Sequence, residues 1–291
     1  MKPGTLTAIR IMVFLFAGIF IFCLFRHISF PLLWNDEGMT VMHGQRVREF
    51  GYPKVHDGRN IVYDLKHPDL SLGIDKSTDA YIGGSSWGHY YYAAGVLVFA
   101  DLTDNFRFKT AILRSGFALA AAGGLFLLII FLRNLFPDRR EKWLATAGFL
   151  LLVMTSVPLI LHLRQARYYP LMVLLTVAAV ILFFHWRIGS GKQTWLKGIL
   201  LTIVLWLNYM TFAPGYPIII FSIILYELIS FNGRRKSEEK EKSIRRLLIG
   251  LAPVIASGLL VLPALFFFKT FEMSAELSRF NEINVWHYTY W

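Results

Sequence analysis

Apolar residues dominate seven stretches of the chain, at positions 9–30, 111–132, 143–162, 170–186, 195–212, 214–231 and 247–268. Each approaches the roughly 20 residues that a helix needs to cross the hydrocarbon layer of a bilayer. Lipid offers no partner to an unpaired backbone group, so each stretch is expected to be helical. Pro158, Pro214, Pro217, Pro253 and Pro263 fall inside these stretches or at their ends. Membrane helices tolerate that where neighbouring helices satisfy the freed carbonyls. A shorter apolar run at 90–100 cannot span. With Tyr90, Tyr91 and Tyr92 at headgroup level, it reads as an interfacial or re-entrant helix. The expected fold is an all-α polytopic membrane protein with about seven transmembrane helices and surface helices in the first outer loop. Residues 1–291 would form a single transmembrane module.

Composition agrees with that pattern. Apolar residues make up 55% of the 291 positions and charged residues only 17%, against roughly a quarter charged in soluble domains. Charge then sets the expected orientation, because short cytoplasmic loops carry the excess of Lys and Arg. Basic residues collect at 133–142, 187–197 and 232–246, which are alternate connections and so lie on one side. Lys2 and Arg10 place the N-terminus on the same, cytoplasmic, side. The net charge of +11 is thus a topological signal and does not point to nucleic acid. The first stretch lacks a small-residue cleavage site and runs into Phe30, Pro31 and Trp34, as an uncleaved anchor would. Cys23 is the single cysteine, so no disulfide forms within one chain.

The loop at 26–110 is the place for chemistry, since loops of such length are uncommon unless they do something. It opens on Trp34-Asn35-Asp36-Glu37-Gly38. Asn35 reads as an N-cap, and Met39, Met42, Val47 and Phe50 as the apolar face of a helix lying on the outer membrane surface. Asp36 and Glu37 then sit in its first turn, where the helix dipole favours a carboxylate. Capping explains such residues in most proteins. The sharper reading is a general base, or a metal ligand, at the membrane surface.

A second cluster, Arg164-Gln165-Ala166-Arg167-Tyr168-Tyr169-Pro170, lies in a short outer turn where positive charge is normally sparse. The planar guanidinium fork suits phosphate; snorkelling to headgroups is the plainer alternative. Arg114 reads as a snorkelling or helix-pairing residue. His89 precedes the interfacial helix, and His56-Asp57-Gly58 and His67-Pro68-Asp69 read as turns. No histidine spacing makes a zinc site, and no phosphate-cradling loop or nucleophile elbow is present. The run at 232–246 is a solvated charged loop.

These elements, in this order, resemble the membrane-embedded GT-C superfamily of glycosyltransferases. The nearest branch is that of protein O-mannosyltransferases, aminoarabinose transferases and bacterial lipopolysaccharide glycosyltransferases. The acidic pair Asp36-Glu37 follows the first span. Gly51-Tyr52-Pro53 leads to Asp57-Gly58 and Tyr63. Trp87-Gly88-His89-Tyr90-Tyr91-Tyr92 resembles a family element of His and tyrosines, without its prolines. Arg114-Ser115 opens the next span, and the run from Arg164 to Tyr169 follows the third. The likeness covers about residues 8–190. Most members are longer, so the chain is expected to be a piece or a minimal form of such an enzyme.

The resemblance implies transfer of a sugar from a polyprenyl-phosphate donor to a hydroxyl of a lipid, glycan or protein acceptor, with inversion. The site would face outward from a bacterial inner membrane. It implies Asp36 and Glu37 as catalytic residues, and Arg164, Arg167 and Tyr168 at the donor phosphate. Asp57, Tyr63 and His89 would be weaker substrate contacts. No cofactor follows from it; a divalent cation shared by the acidic pair stays open. The rivals are a lipid-linked-sugar flippase or other transporter and a non-catalytic membrane subunit. Transporters usually place charges or broken helices near mid-membrane, whereas the charges here gather at span ends.

Overall fold

A computed structural model describes residues 3–56, 73–83, 86–188, 194–234 and 240–275. The expected Asp57 and Tyr63 contacts lie outside the described residues. The described chain is almost wholly helical: α1 (Pro3–Phe25), α2 (Asn35–Phe50), a β1–β2 hairpin (Ile74–Asp75, Ala80–Tyr81), α3 (Gly88–Ala100), α4 (Phe106–Leu135), α5 (Arg139–Thr155), α6 (Val157–Leu163), α7 (Tyr168–Ile188), α8 (Thr194–Thr211), α9 (Gly215–Arg234) and α10 (Lys240–Phe267). Five of these, α1, α4, α7, α9 and α10, contain helices long and apolar enough to cross a membrane. Only 22–33% of each apolar window is buried within the protein. Phe14, Phe126, Phe221 and Phe266 are all more than half exposed. Water would penalise that surface heavily and lipid does not. This is an all-α chain with the composition of an integral membrane protein.

Two of the seven expected crossings take a different form. The stretch at 143–162 is not one helix but the pair α5 and α6, bent by 82°. Pro158 has no N–H to donate and its ring crowds the carbonyl four residues back, so a helix cannot run through it without strain. The chain closes α5 with Ser156 N–H on the Val153 carbonyl and restarts with Pro158 in the first turn of α6. Counted as one broken span, the pair makes a sixth crossing. The apolar part of α8 covers only Trp195–Thr211, short of the roughly 20 residues a crossing takes.

Local chemistry sets several helix starts. The Asn105 side chain accepts from Arg107 and Phe108 N–H at the start of α4, and Asp138 does the same for Arg140 and Glu141 at α5. At α2 the expectation is off by one. Gly38 N–H donates to the Trp34 carbonyl at 2.8 Å, so Trp34 holds the cap position and Asn35 is the first helical residue. The buried face of α2 also differs from the expected apolar one. Glu37, Thr40, His43, Gly44 and Val47 are buried, whereas Met39, Met42 and Phe50 are only half-buried.

The chain gathers into two compact units. One comprises Met1–Val41 and Gly95–Ser190, the other Met42–Ala94 and Gly191–Trp291. In the first, Phe20 and Leu24 of α1 pack with Ala118, Ala121 and Leu125 of α4, Val153 of α5, and Ile160 and Leu163 of α6. The bend before α6 is what turns Ile160 and Leu163 into this core, and the chain leaves α6 directly into the arginine turn. Gly124 lets α4 approach α7 so closely that a Cβ there would stand 2.7 Å from Leu174 Cα. In the second unit, Tyr209, Val261 and Phe268 pack with Ile82 and Trp87. The hairpin is pinned by its turn: the Asp75 carboxylate accepts from the Ser77 and Thr78 hydroxyls, the Thr78 N–H and Lys269 Nζ. Those donors favour the ionised form and hold the Asp75 carboxyl far below the usual carboxylate range.

Candidate functional site

Three segments of the first unit converge: the entry to α2, the first third of α4, and the turn between α6 and α7. Glu37 is the hub. Its side chain has no exposed surface. Glu37 Oε1 accepts from Arg114 Nε and from the Ala166 N–H, each at 2.9 Å. Oε2 accepts from Arg114 Nη2 at 2.6 Å and from the Trp34 N–H at 3.4 Å, the reach of a third-position Glu back to its helix cap. Arg114, itself buried, uses its remaining donors on the Ile28, Pro31 and Leu32 carbonyls. Arg114 is therefore no snorkelling residue. It ties the chain after α1 to the start of α2, and Glu37 ties both to the arginine turn.

Asp36, one residue earlier, points to a different neighbourhood. Its side chain is 33% exposed, and Oδ2 meets Arg167 Nη1 at 2.7 Å. Consecutive helical residues are about 100° apart around the axis, enough to bury one carboxylate and leave its neighbour open. Arg167 is held among three rings, with its guanidinium carbon 5.4 Å from the centre of Trp34, 5.0 Å from Tyr168 and 5.5 Å from Tyr169. Such contacts hold the cation while leaving most of its N–H donors uncommitted. The Tyr168 hydroxyl donates to that of Tyr169 at 3.2 Å.

Arg164 behaves unlike Arg167. Nη2 donates to the Arg26 carbonyl at 2.8 Å and Nη1 to that of Cys23 at 3.5 Å, so Arg164 satisfies carbonyls at the end of α1. Burial, and then the nearby Arg114, pull the Arg164 guanidinium below its ordinary value, with Glu37 opposing them.

The expected site residues thus divide. Asp36, Glu37, Arg164, Arg167 and Tyr168 all fall in the first unit, where Asp36, Arg167 and Tyr168 form the accessible group and Glu37 and Arg164 bind protein groups. Glu37, expected beside Asp36 as a catalytic residue, turns its carboxylate to Arg114 and the Ala166 N–H. His89 belongs to the second unit, is buried, and packs its ring 4.0 Å from that of Tyr90. The sequence reading missed Trp34 and Tyr169 as walls of the site; their only signal was adjacency to Asp36 and Arg167. Among the described residues, no three His, Cys, Asp or Glu side chains gather to hold a metal.

The second unit contains a cavity of about 500 Å³ lined by Tyr209, Tyr216, Val261, Phe268 and Thr270 among others. Its hydroxyls are paired, Tyr209 with Thr270 and Tyr216 with Ser257, each at 2.9 Å. It holds no expected site residue. No protein-family model, curated protein or solved structure matches the chain.

Proposed function

We propose that this chain is the membrane module of a glycosyltransferase that moves a sugar from a polyprenyl-phosphate donor to an acceptor hydroxyl, inverting the anomeric centre. The observation that carries the reading is the pairing of an accessible carboxylate, Asp36, with an accessible, ring-walled arginine, Arg167. Transfer from a lipid phosphate needs a cation for the leaving phosphate and a base for the acceptor proton. Arg167 has the geometry for the first role, since a guanidinium offers parallel donors to phosphate oxygens. Asp36 has the chemistry for the second. A donor phosphate would compete with Asp36 for Arg167 and so release the carboxylate as the donor arrives. In this reading α8 and the α5–α6 pair complete seven crossings. The N-terminus is cytoplasmic, the site faces outward, and Glu37 and Arg114 position rather than react.

Asp36→Asn tests it. The amide keeps the size of the side chain but cannot take up the acceptor proton. Sugar transfer from a polyprenyl-phosphate donor is expected to fall by about 10²–10⁴-fold, with the thermal midpoint in detergent nearly unchanged. A folded Asp36→Asn protein that transfers at the normal rate defeats the proposal. One observation favours a transporter instead. Glu227 of α9 is fully buried and lies so close to Gly250 of α10 that a Cβ there would stand 2.5 Å from its carboxyl carbon. Ionisable groups inside membrane helices often mark transport paths. If Glu227→Gln abolishes activity while Asp36→Asn spares it, the transporter reading replaces the transferase.

A further inference from the structure

At the other end of the first unit, two arginines flank one indole. The Arg10 guanidinium carbon of α1 lies 5.6 Å from the ring centre of Trp143, the tryptophan of α5, and that of Arg133 of α4 lies 4.4 Å from the same centre. The two cations are therefore at most about 10 Å apart and repel each other. Among the described residues neither forms an ion pair with a carboxylate. Arg133 Nη1 reaches only the Thr146 hydroxyl, at 3.5 Å, and Arg10 Nε is buried with no acceptor. The Asp138 carboxylate, nearby in sequence, accepts from the N–H groups at the start of α5.

Position narrows what could neutralise the pair. Arg133 follows Arg114 by 19 residues along one continuous helix, a rise of about 28 Å. That matches the thickness of the hydrocarbon layer. With Arg114, paired to Glu37, at one interface, Arg10, Arg133 and Trp143 stand at the headgroup level of the other. Tryptophan is enriched at that depth. Ile11 and Phe14 of α1, 62% and 70% exposed, continue from Arg10 as an open apolar strip, and the Phe14 ring lies 6.2 Å from that of Trp143.

We propose that Arg10, Arg133 and Trp143 form a binding site for the phosphate headgroup of an anionic membrane lipid, whose acyl chain lies along Ile11 and Phe14. The phosphodiester supplies the missing negative charge and acceptors for guanidinium N–H groups, and the indole holds both guanidiniums in place. The site is independent of the proposed transferase chemistry.

The purified full chain in mixed micelles is titrated with phosphatidylglycerol or phosphatidylcholine, and bound lipid is read by native mass spectrometry. The wild-type chain is expected to prefer phosphatidylglycerol. The double variant Arg10→Gln/Arg133→Gln should lose about 30-fold in phosphatidylglycerol affinity, given about 1 kcal/mol for each basic residue at an anionic surface. Its phosphatidylcholine binding should stay the same. The Arg139→Gln/Arg140→Gln pair lies within one turn of Trp143 on α5, but both side chains are exposed and neither is among the guanidiniums stacked on the indole, so it should lose clearly less. Because Arg10 and Arg133 also carry topological charge, Arg10→Lys/Arg133→Lys keeps that charge while removing the planar forks, and should still weaken binding several-fold. Unchanged preference in both double variants overturns the site. Displacement of phosphatidylglycerol by inorganic phosphate in the wild-type chain overturns the lipid as its occupant and assigns it to free phosphate.

Discussion

Asp36 and Glu37 are neighbours with opposite fates, and the difference can be measured. Glu37→Ala strands the Arg114 guanidinium in a buried site, along with the Ala166 N–H. Breaking one side of a buried pair costs roughly 3–5 kcal/mol, so the thermal midpoint and the yield of folded protein should drop sharply. Glu37→Gln should be milder. Transfer per folded Glu37→Gln molecule should exceed that of Asp36→Asn, and the reverse order would return Glu37 to the chemistry. His43 offers a second residue-scale test. It is fully buried, its ring stacks on Tyr81 at 4.3 Å and tilts against Tyr90 at 4.8 Å, and neither ring nitrogen has a hydrogen-bond partner among the described residues. Burial, with a smaller push from Arg46, lowers its pKa to about 4. The unfolded chain takes up the proton first, near pH 6.5. The contribution of His43 to stability is therefore complete above about pH 6.5 and fades as the pH falls from there toward about 4, by at most roughly 3 kcal/mol. His43→Phe keeps the ring stack and removes both the titration and the unpartnered nitrogens. Its unfolding midpoint should match or exceed the wild type at neutral pH and fall less on acidification. Parallel pH profiles for the two proteins would refute the assignment. That an acidic pair opened the loop was legible in the sequence. Which carboxylate would be buried was not, because the partner that buries Glu37 lies on α4.

Elements were legible where their signal is local. The apolar runs became helices and the side-chain caps at Asn105 and Asp138 formed as their residue types favour. The β1–β2 hairpin left no trace in the pattern, since strands of two residues are too short to show an alternation. The buried face of α2 was misread because its polar residues find distant or backbone partners: Glu37 pairs with Arg114, the Thr40 hydroxyl donates to the Asp36 carbonyl, and His43 is buried by its ring contacts with Tyr81 and Tyr90. Pro158 was visible, but three prolines in these segments behave in two ways. Pro253 and Pro263 sit inside an unbroken α10, whereas Pro158 coincides with an 82° bend. Packing between elements can be tested at adjacent glycines of α4. A Cβ at Gly124 would meet the Leu174 backbone at 2.7 and 2.9 Å, while one at Gly123 meets nothing within 4 Å. Gly124→Ala must push α4 from α7 and should cost about 1–3 kcal/mol. Gly123→Ala should be neutral or gain up to about 1 kcal/mol from helix propensity. Equal midpoints for the two variants would contradict the close approach.

At the scale of the molecule, the prediction is orientation. Short loops rich in Lys and Arg stay in the cytoplasm, so a cysteine placed at Arg139 should resist an impermeant thiol reagent in intact cells. One placed at Asp79 should react. The background is Cys23 alone, which is removed first. Labelling at position 139 and protection at position 79 would invert the chain and turn Asp36 and Arg167 inward. By itself the sequence determined the helical class, the approximate helix positions and the apolar surface suited to lipid. All of these follow from composition over a few turns of chain. Only the tertiary structure decided that the third apolar stretch breaks and folds back into the first unit, delivering Arg167 to Asp36. Only it showed that Glu37, through partners 77 and 129 residues away, is a buried tie. It also gathered Arg10 and Arg133 on one indole. Those outcomes depend on which distant groups meet and how deeply they are buried, and no local pattern along the chain encodes either.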